Sequence, residues 1–121
     1  FDLNIPVKIK VMPIIREKDG LAMSSRNVYL NQQERKDALV LSRSLNLAKD
    51  LLKKGERNAA RIINSMKRLI KQRKSAKIDY IAVVDSEDLK PIKKISNGCL
   101  IALAVWMGKT RLIDNTTIKL V

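Results

Sequence analysis

Gly20-Leu21-Ala22-Met23-Ser24-Ser25-Arg26-Asn27 brings together a flexible glycine, two adjacent hydroxyls, a guanidinium and an amide. These groups can grip a polyphosphate. Ser24 and Ser25 can donate hydrogen bonds to phosphate oxygens, and Arg26 offers a planar, permanently charged fork. A second reading of the same residues is a polar surface linker that caps the helix after it. Other candidates are weaker. Asp79, Asp85 and Asp114 are carboxylates on different elements, and their spacing specifies no metal or acid–base site, so structural roles are expected. Arg111 suits a phosphate or a salt bridge to a neighbouring aspartate equally well. Tyr29 and Tyr80 have apolar neighbours and are expected in the core with hydrogen-bonded hydroxyls. One cysteine and no histidine leave nothing from which to build a zinc site, and no metal ligands are expected. Cys99 lies inside an apolar run and is expected as a small core residue in a reducing, cytoplasmic compartment.

The elements that must position these residues are legible in the spacing. Val7–Met12 alternates apolar and basic residues, a strand with one covered face, and Pro13 stops it. Asn31 with Glu34 has the spacing of a capping box. Ala38, Leu41, Leu45, Ala48 and Leu52 follow as one helical stripe, closed by Lys53-Lys54 and Gly55. A second helix carries Ala59, Ile62, Ile63, Met66, Leu69 and Ile70 on one face and runs out in Lys71-Gln72-Arg73-Lys74. The short link between them implies an antiparallel helical hairpin. Ile78–Val84 reads as a central, largely buried strand. Asp85 to Asp88 reads as a capped turn and Asn97-Gly98 as another. Leu100–Val105 is a buried strand, Gly108-Lys109-Thr110 a tight turn, and Arg111-Leu112-Ile113 the start of a third strand, with Asp114-Asn115 as a turn or cap pair. The fold class is α+β: two helices covering one face of a three-stranded antiparallel sheet, preceded by one strand and the polar loop.

Charge narrows the possible partners. The chain carries 25 Lys/Arg against 12 Asp/Glu, and residues 31–75 hold thirteen of the former against four of the latter. A basic helical region invites a non-enzymatic alternative, an α+β module that binds nucleic acid or another polyanion. No Tyr, Phe or Trp lies among those basic residues to stack on bases, and no helix-turn-helix or RNA-sheet signature occurs. These absences argue against specific nucleic-acid recognition. No apolar run reaches the roughly 18 residues that would span a membrane as a helix.

Three runs resemble the pantothenate synthetase (pantoate–β-alanine ligase) family: Arg16-Glu17-x-Asp19-Gly20-Leu21-Ala22-Met23-Ser24-Ser25-Arg26-Asn27-x-Tyr29-Leu30, then Ile78-Asp79-Tyr80 with Val84-Asp85, then Gly108-x-Thr110-Arg111-Leu112-Ile113-Asp114-Asn115. In that family the Met-Ser-Ser-Arg stretch is the counterpart of the Lys-Met-Ser-Lys-Ser loop of class I aminoacyl-tRNA synthetases. Ala22 and Ser25 stand where that loop has lysines. The resemblance implies ATP-dependent joining of pantoate to β-alanine through a pantoyl-adenylate, with release of pyrophosphate and AMP. It places ATP contacts on Ile15 (main chain), Met23, Ser24, Ser25 and Arg26. Ser24, Ser25 and Arg26 would stabilise transition-state charge, and Mg²⁺ would be held by the nucleotide. It divides the chain into residues 1–16, the end of an α/β nucleotide-binding domain; 17–30, the phosphate loop and hinge; and 31–121, a C-terminal lid domain. Partners would be ATP, pantoate, β-alanine, the N-terminal domain and, for the full-length enzyme, a second copy. The family's His-x-x-His motif cannot be present without histidine. The chain is therefore expected to be a fragment, inactive alone, whose first strand has lost its sheet partners. The loop 18–27 is expected to be mobile for want of apolar anchors.

Overall fold

A computed structural model describes residues 9–11 and 15–120; side chains are described from residue 15 onward. The elements are β1 (Ile9–Val11), α1 (Gln32–Asp37), α2 (Leu39–Lys53), α3 (Ala59–Ile70), β2 (Ala76–Val84), β3 (Gly98–Met107) and β4 (Thr110–Leu120). The strands form one antiparallel sheet in the order β1-β4-β3-β2. Alternation divides β3 and β4 between two faces. Cys99, Ile101, Leu103, Val105 and Met107 of β3, with Leu112 and Ile118 of β4, are buried. They join Leu41, Leu45, Ala48 and Leu52 of α2, and Ile62, Met66 and Ile70 of α3, in one core. The opposite face carries the partly exposed Trp106, Tyr80 and Ile113.

The helical hairpin forms for the expected reasons. Asn31 Oδ1 accepts from Glu34 N–H at 2.8 Å, and Asn31 N–H donates to Glu34 Oε1 at 3.0 Å, a complete capping box. Gly55 follows α2 with φ +103°, the left-handed position that favours glycine. Asn58 Oδ1 caps α3 by accepting from Arg61 N–H at 3.1 Å. The first helical stretch is not continuous: α1 and α2 meet at Ala38, where Leu41 N–H bonds to Ala38 O.

Four expectations on the sheet need correction. The strand expected at Val7–Met12, described only at Ile9–Val11, is not left without partners, because Ile9, Lys10 and Val11 pair with Leu120, Lys119 and Ile118. It thus adds a fourth strand to the expected three. β2 is an edge strand and not a central one: of its residues only Val83 is buried. Its mostly apolar residues pack toward the helices on one side and lie half-exposed on the other. Asp114 and Asn115 are not a turn, since β4 runs through them to Leu120, paired residue for residue with β3. Tyr29 and Tyr80 are not core residues, being 75% and 42% exposed. The Tyr80 ring instead carries the Arg111 guanidinium 5.9 Å from its centroid.

Candidate active-site loop

Residues 15–23 fold back on themselves as a short ribbon. Met23 N–H donates to Ile15 O (3.1 Å), Arg16 bridges Ala22, and Glu17 and Leu21 close the turn with a 2.8 Å bond. Gly20, at φ +100°, supplies the reversal. The ribbon brings the two outer candidates, Ile15 and Met23, side by side; both are exposed, at 77% and 59%. Ser24 then opens a single 3-10 turn, Ser25–Tyr29, and its Oγ accepts from Arg26 N–H at 3.1 Å. That bond uses an acceptor lone pair and leaves the hydroxyl proton of Ser24 free to donate. Ser24, Ser25 and Arg26 are all exposed.

The base of this loop is anchored more firmly than its sequence suggested. Leu21 is 2% exposed and belongs to the core. Asn27 Nδ2 donates to Glu17 Oε2 (3.2 Å) and to Ala22 O (3.1 Å), stapling the two ends of the loop together. Arg35 on α1 reaches Glu17 at 3.1 Å and Asp19 at 2.9 Å. The Arg35 hydrogen bond holds the Asp19 carboxyl below its usual range, and the same contact raises Arg35. Arg16 donates from Nη1 and Nη2 to the two oxygens of Asp114 at 2.7 and 2.9 Å, and from Nη1 to Gly20 O at 3.0 Å. Within the loop 18–27 that was expected to lack anchors, Asp19, Leu21 and Asn27 are therefore tied down. Sequence reading missed the side-chain pairs among these ties because they join residues 10 to 98 positions apart.

Arg26 points toward the β3–β4 hairpin. Its Nη1 donates to Arg111 O at 3.3 Å. Beside it opens a groove of about 590 Å³ lined by Arg26, Tyr29, Trp106, Lys109, Thr110 and Arg111. Arg111 is also paired through Nε with Asp79 at 2.9 Å, so the salt-bridge reading of Arg111 holds. From sequence, residues 106–110 read only as strand and turn. The signal that could have flagged them was the cation at a turn flanked by a tryptophan. Asp85, by contrast, caps its own turn, accepting from Glu87 N–H (2.8 Å) and Asp88 N–H (3.2 Å). No cluster of three potential metal ligands occurs among the described residues.

Residues 1–117 match the family model described as pantoate-beta-alanine ligase. The chain belongs to the pantoate–β-alanine ligase family. It is 55% identical over 118 residues to the pantothenate synthetase of Caldicellulosiruptor saccharolyticus and 56% identical over 119 residues to that of Clostridium botulinum (strain Loch Maree), covering 98% of this chain in each case. It spans 42% of the length of these relatives. The crystal structure of pantothenate synthetase from Thermus thermophilus superposes with a TM-score of 0.79 at 36% identity, covering 86% of this chain and 37% of the other. Membership of the pantoate–β-alanine ligase family accounts for all three motif runs at once. No helix among the described residues is long and apolar enough to cross a membrane.

Proposed function

We propose that this chain is the phosphate loop and lid of an ATP-dependent ligase that condenses pantoate with β-alanine. The observation that carries the reading is the capped turn at Ser24, which sets Arg26, exposed, beside the β3–β4 hairpin on a loop anchored at its base. In the proposed sequence the pantoate carboxylate attacks the α-phosphate of ATP, pyrophosphate leaves, and the β-alanine amine then displaces AMP from the pantoyl-adenylate. Negative charge grows on the departing pyrophosphate in the first step. The Ser24 and Ser25 hydroxyls and the Arg26 guanidinium are donors suited to that charge. Ile15 and Met23, neighbours across the ribbon, would flank the nucleotide through main chain and packing.

The donor set fits a nucleotide's phosphates. It does not fit a resident metal, so Mg²⁺ would arrive with the nucleotide. In the same proposal residues 1–16 end a nucleotide-binding domain, residues 17–30 form the loop and hinge, and residues 31–121 form a lid that closes and excludes water from the adenylate. The reading is tested with Arg26→Ala in the full-length ligase. Single-turnover adenylation should slow by a factor corresponding to roughly 2.7–4 kcal/mol, with pantoate affinity little changed. Unchanged adenylation would remove Arg26 from the chemistry. The isolated 121-residue chain should form no pantothenate from ATP, pantoate and β-alanine; turnover by it would show that the activity needs nothing beyond this chain.

A further inference from the structure

We propose that the tip of the β3–β4 hairpin, Lys109 and Thr110 with Trp106 behind them, forms the second wall of a site for a pyrophosphate chain, Arg26 forming the first. The inference rests on the phosphate role proposed for Arg26 and extends it to an element remote in sequence. Four observations carry it. The groove between loop and hairpin has about 590 Å³, within the size range of small-molecule sites. Its lining holds three cations, Arg26, Lys109 and Arg111, and no carboxylate. Arg111 is partly neutralised by Asp79, but Lys109 forms no ion pair among the described residues, and Arg26 makes a single 3.3 Å bond to a carbonyl. Most of the donors of Arg26 and all three of Lys109 are thus available to a ligand rich in acceptors.

The hairpin is also held in place. Gly108 takes φ +60° at the first position of a two-residue turn, as a II′ turn requires, and its N–H donates to Ser75 O at 3.1 Å. Lys109 therefore projects from a fixed backbone, and the Arg26–Arg111 bond ties loop tip to hairpin tip. A diphosphate has acceptor oxygens along its whole length, so it can bridge two cationic walls where a single phosphate reaches only one.

Trp106 is the single tryptophan and a built-in reporter. Inorganic pyrophosphate titrated into the chain at about 0.15 M salt should change its fluorescence saturably. Lys109→Ala should weaken binding about tenfold, Lys109→Arg should restore it, and Lys67→Ala on the exposed face of α3 should leave it unchanged. No saturable change, equal weakening by Lys67→Ala, or AMP binding as tightly as pyrophosphate would overturn the site. In the full-length ligase, Lys109→Ala should raise the pyrophosphate inhibition constant and the KM for ATP several-fold with the KM for pantoate unmoved. If Arg26→Ala slows adenylation while Lys109→Ala moves neither constant, the hairpin site is wrong and the loop's role stands. If Lys109→Ala moves both constants while Arg26→Ala leaves adenylation intact, the hairpin site survives and the proposed role of Arg26 fails.

Discussion

Arg16 and Asp114 lie 98 positions apart, and their pairing buries a carboxylate whose side chain is 1% exposed. The fork is bidentate, the strong form of this contact. Lys49 nearby has its pKa pushed down, first by burial and then by Arg16. Arg16→Ala would leave the Asp114 charge buried without its fork, and we expect a loss of about 3 kcal/mol in urea unfolding; Asp114→Asn should cost less, because it removes the charge together with its need for a partner. Cys99 makes a second test. It is fully buried, and burial raises its thiol from 9.0 to about 11. The folded state keeps the proton that the unfolded chain gives up, so this contribution is intact below about pH 9 and is lost as pH rises toward 11. It amounts to about 2–3 kcal/mol at most. Cys99→Ala should abolish that part of the decline in melting temperature between pH 8 and 11, and native Cys99 should not react with a thiol reagent at pH 8.

The helices were the legible elements and the sheet edges were not. Caps and stripes are local: Asn31, Glu34, Gly55 and the Ile62-Met66-Ile70 stripe each act within a few residues, so their outcome can be read from spacing alone. The position of β2 at an edge, the run of β4 through Asp114-Asn115 and the pairing of β1 with β4 depend on partners far along the chain. Ile78–Val84 is apolar at most positions whether it lies at the centre or the edge, and Tyr80 finds its neighbour in Arg111, 31 positions later. The loop divides the same way. The exposed Met23–Arg26 tip was recognisable from residue types, whereas the Asn27 staple and the Lys109 hairpin beside it appear only once the chain is folded. Met66, fully buried between α3 and the sheet, gives a measure of this packing. Met66→Ala should destabilise by about 2–5 kcal/mol in thermal or urea melts. Asn58→Ala, which removes the α3 cap, should cost only about 1 kcal/mol.

At the scale of the whole molecule the thirteen excess positive charges act together. Within the helical hairpin Arg61 and Glu56 form an ion pair, and at 3.9 Å it is a loose one. Self-repulsion among the surplus cations is screened by salt, so the melting temperature should rise between about 0.02 and 0.2 M salt before levelling off as the Debye length falls below about 10 Å; a flat response would mean that the charges are too far apart to matter. Amide exchange should be slowest in Leu100–Val105 and Leu39–Leu51, and fast from Met23 to Arg26 with intermediate rates at the tied residues 16–22. Strand β4 is hydrogen-bonded along both edges, to β3 over its full length and to β1 at its far end. Its eleven residues make a rod of about 35 Å with the Thr110 end beside Arg26 and the Leu120 end beside Ile9. Mechanically that is a lever arm: over about 35 Å, a tilt of a few degrees at the β1 end becomes a displacement of ångströms at the Thr110 end.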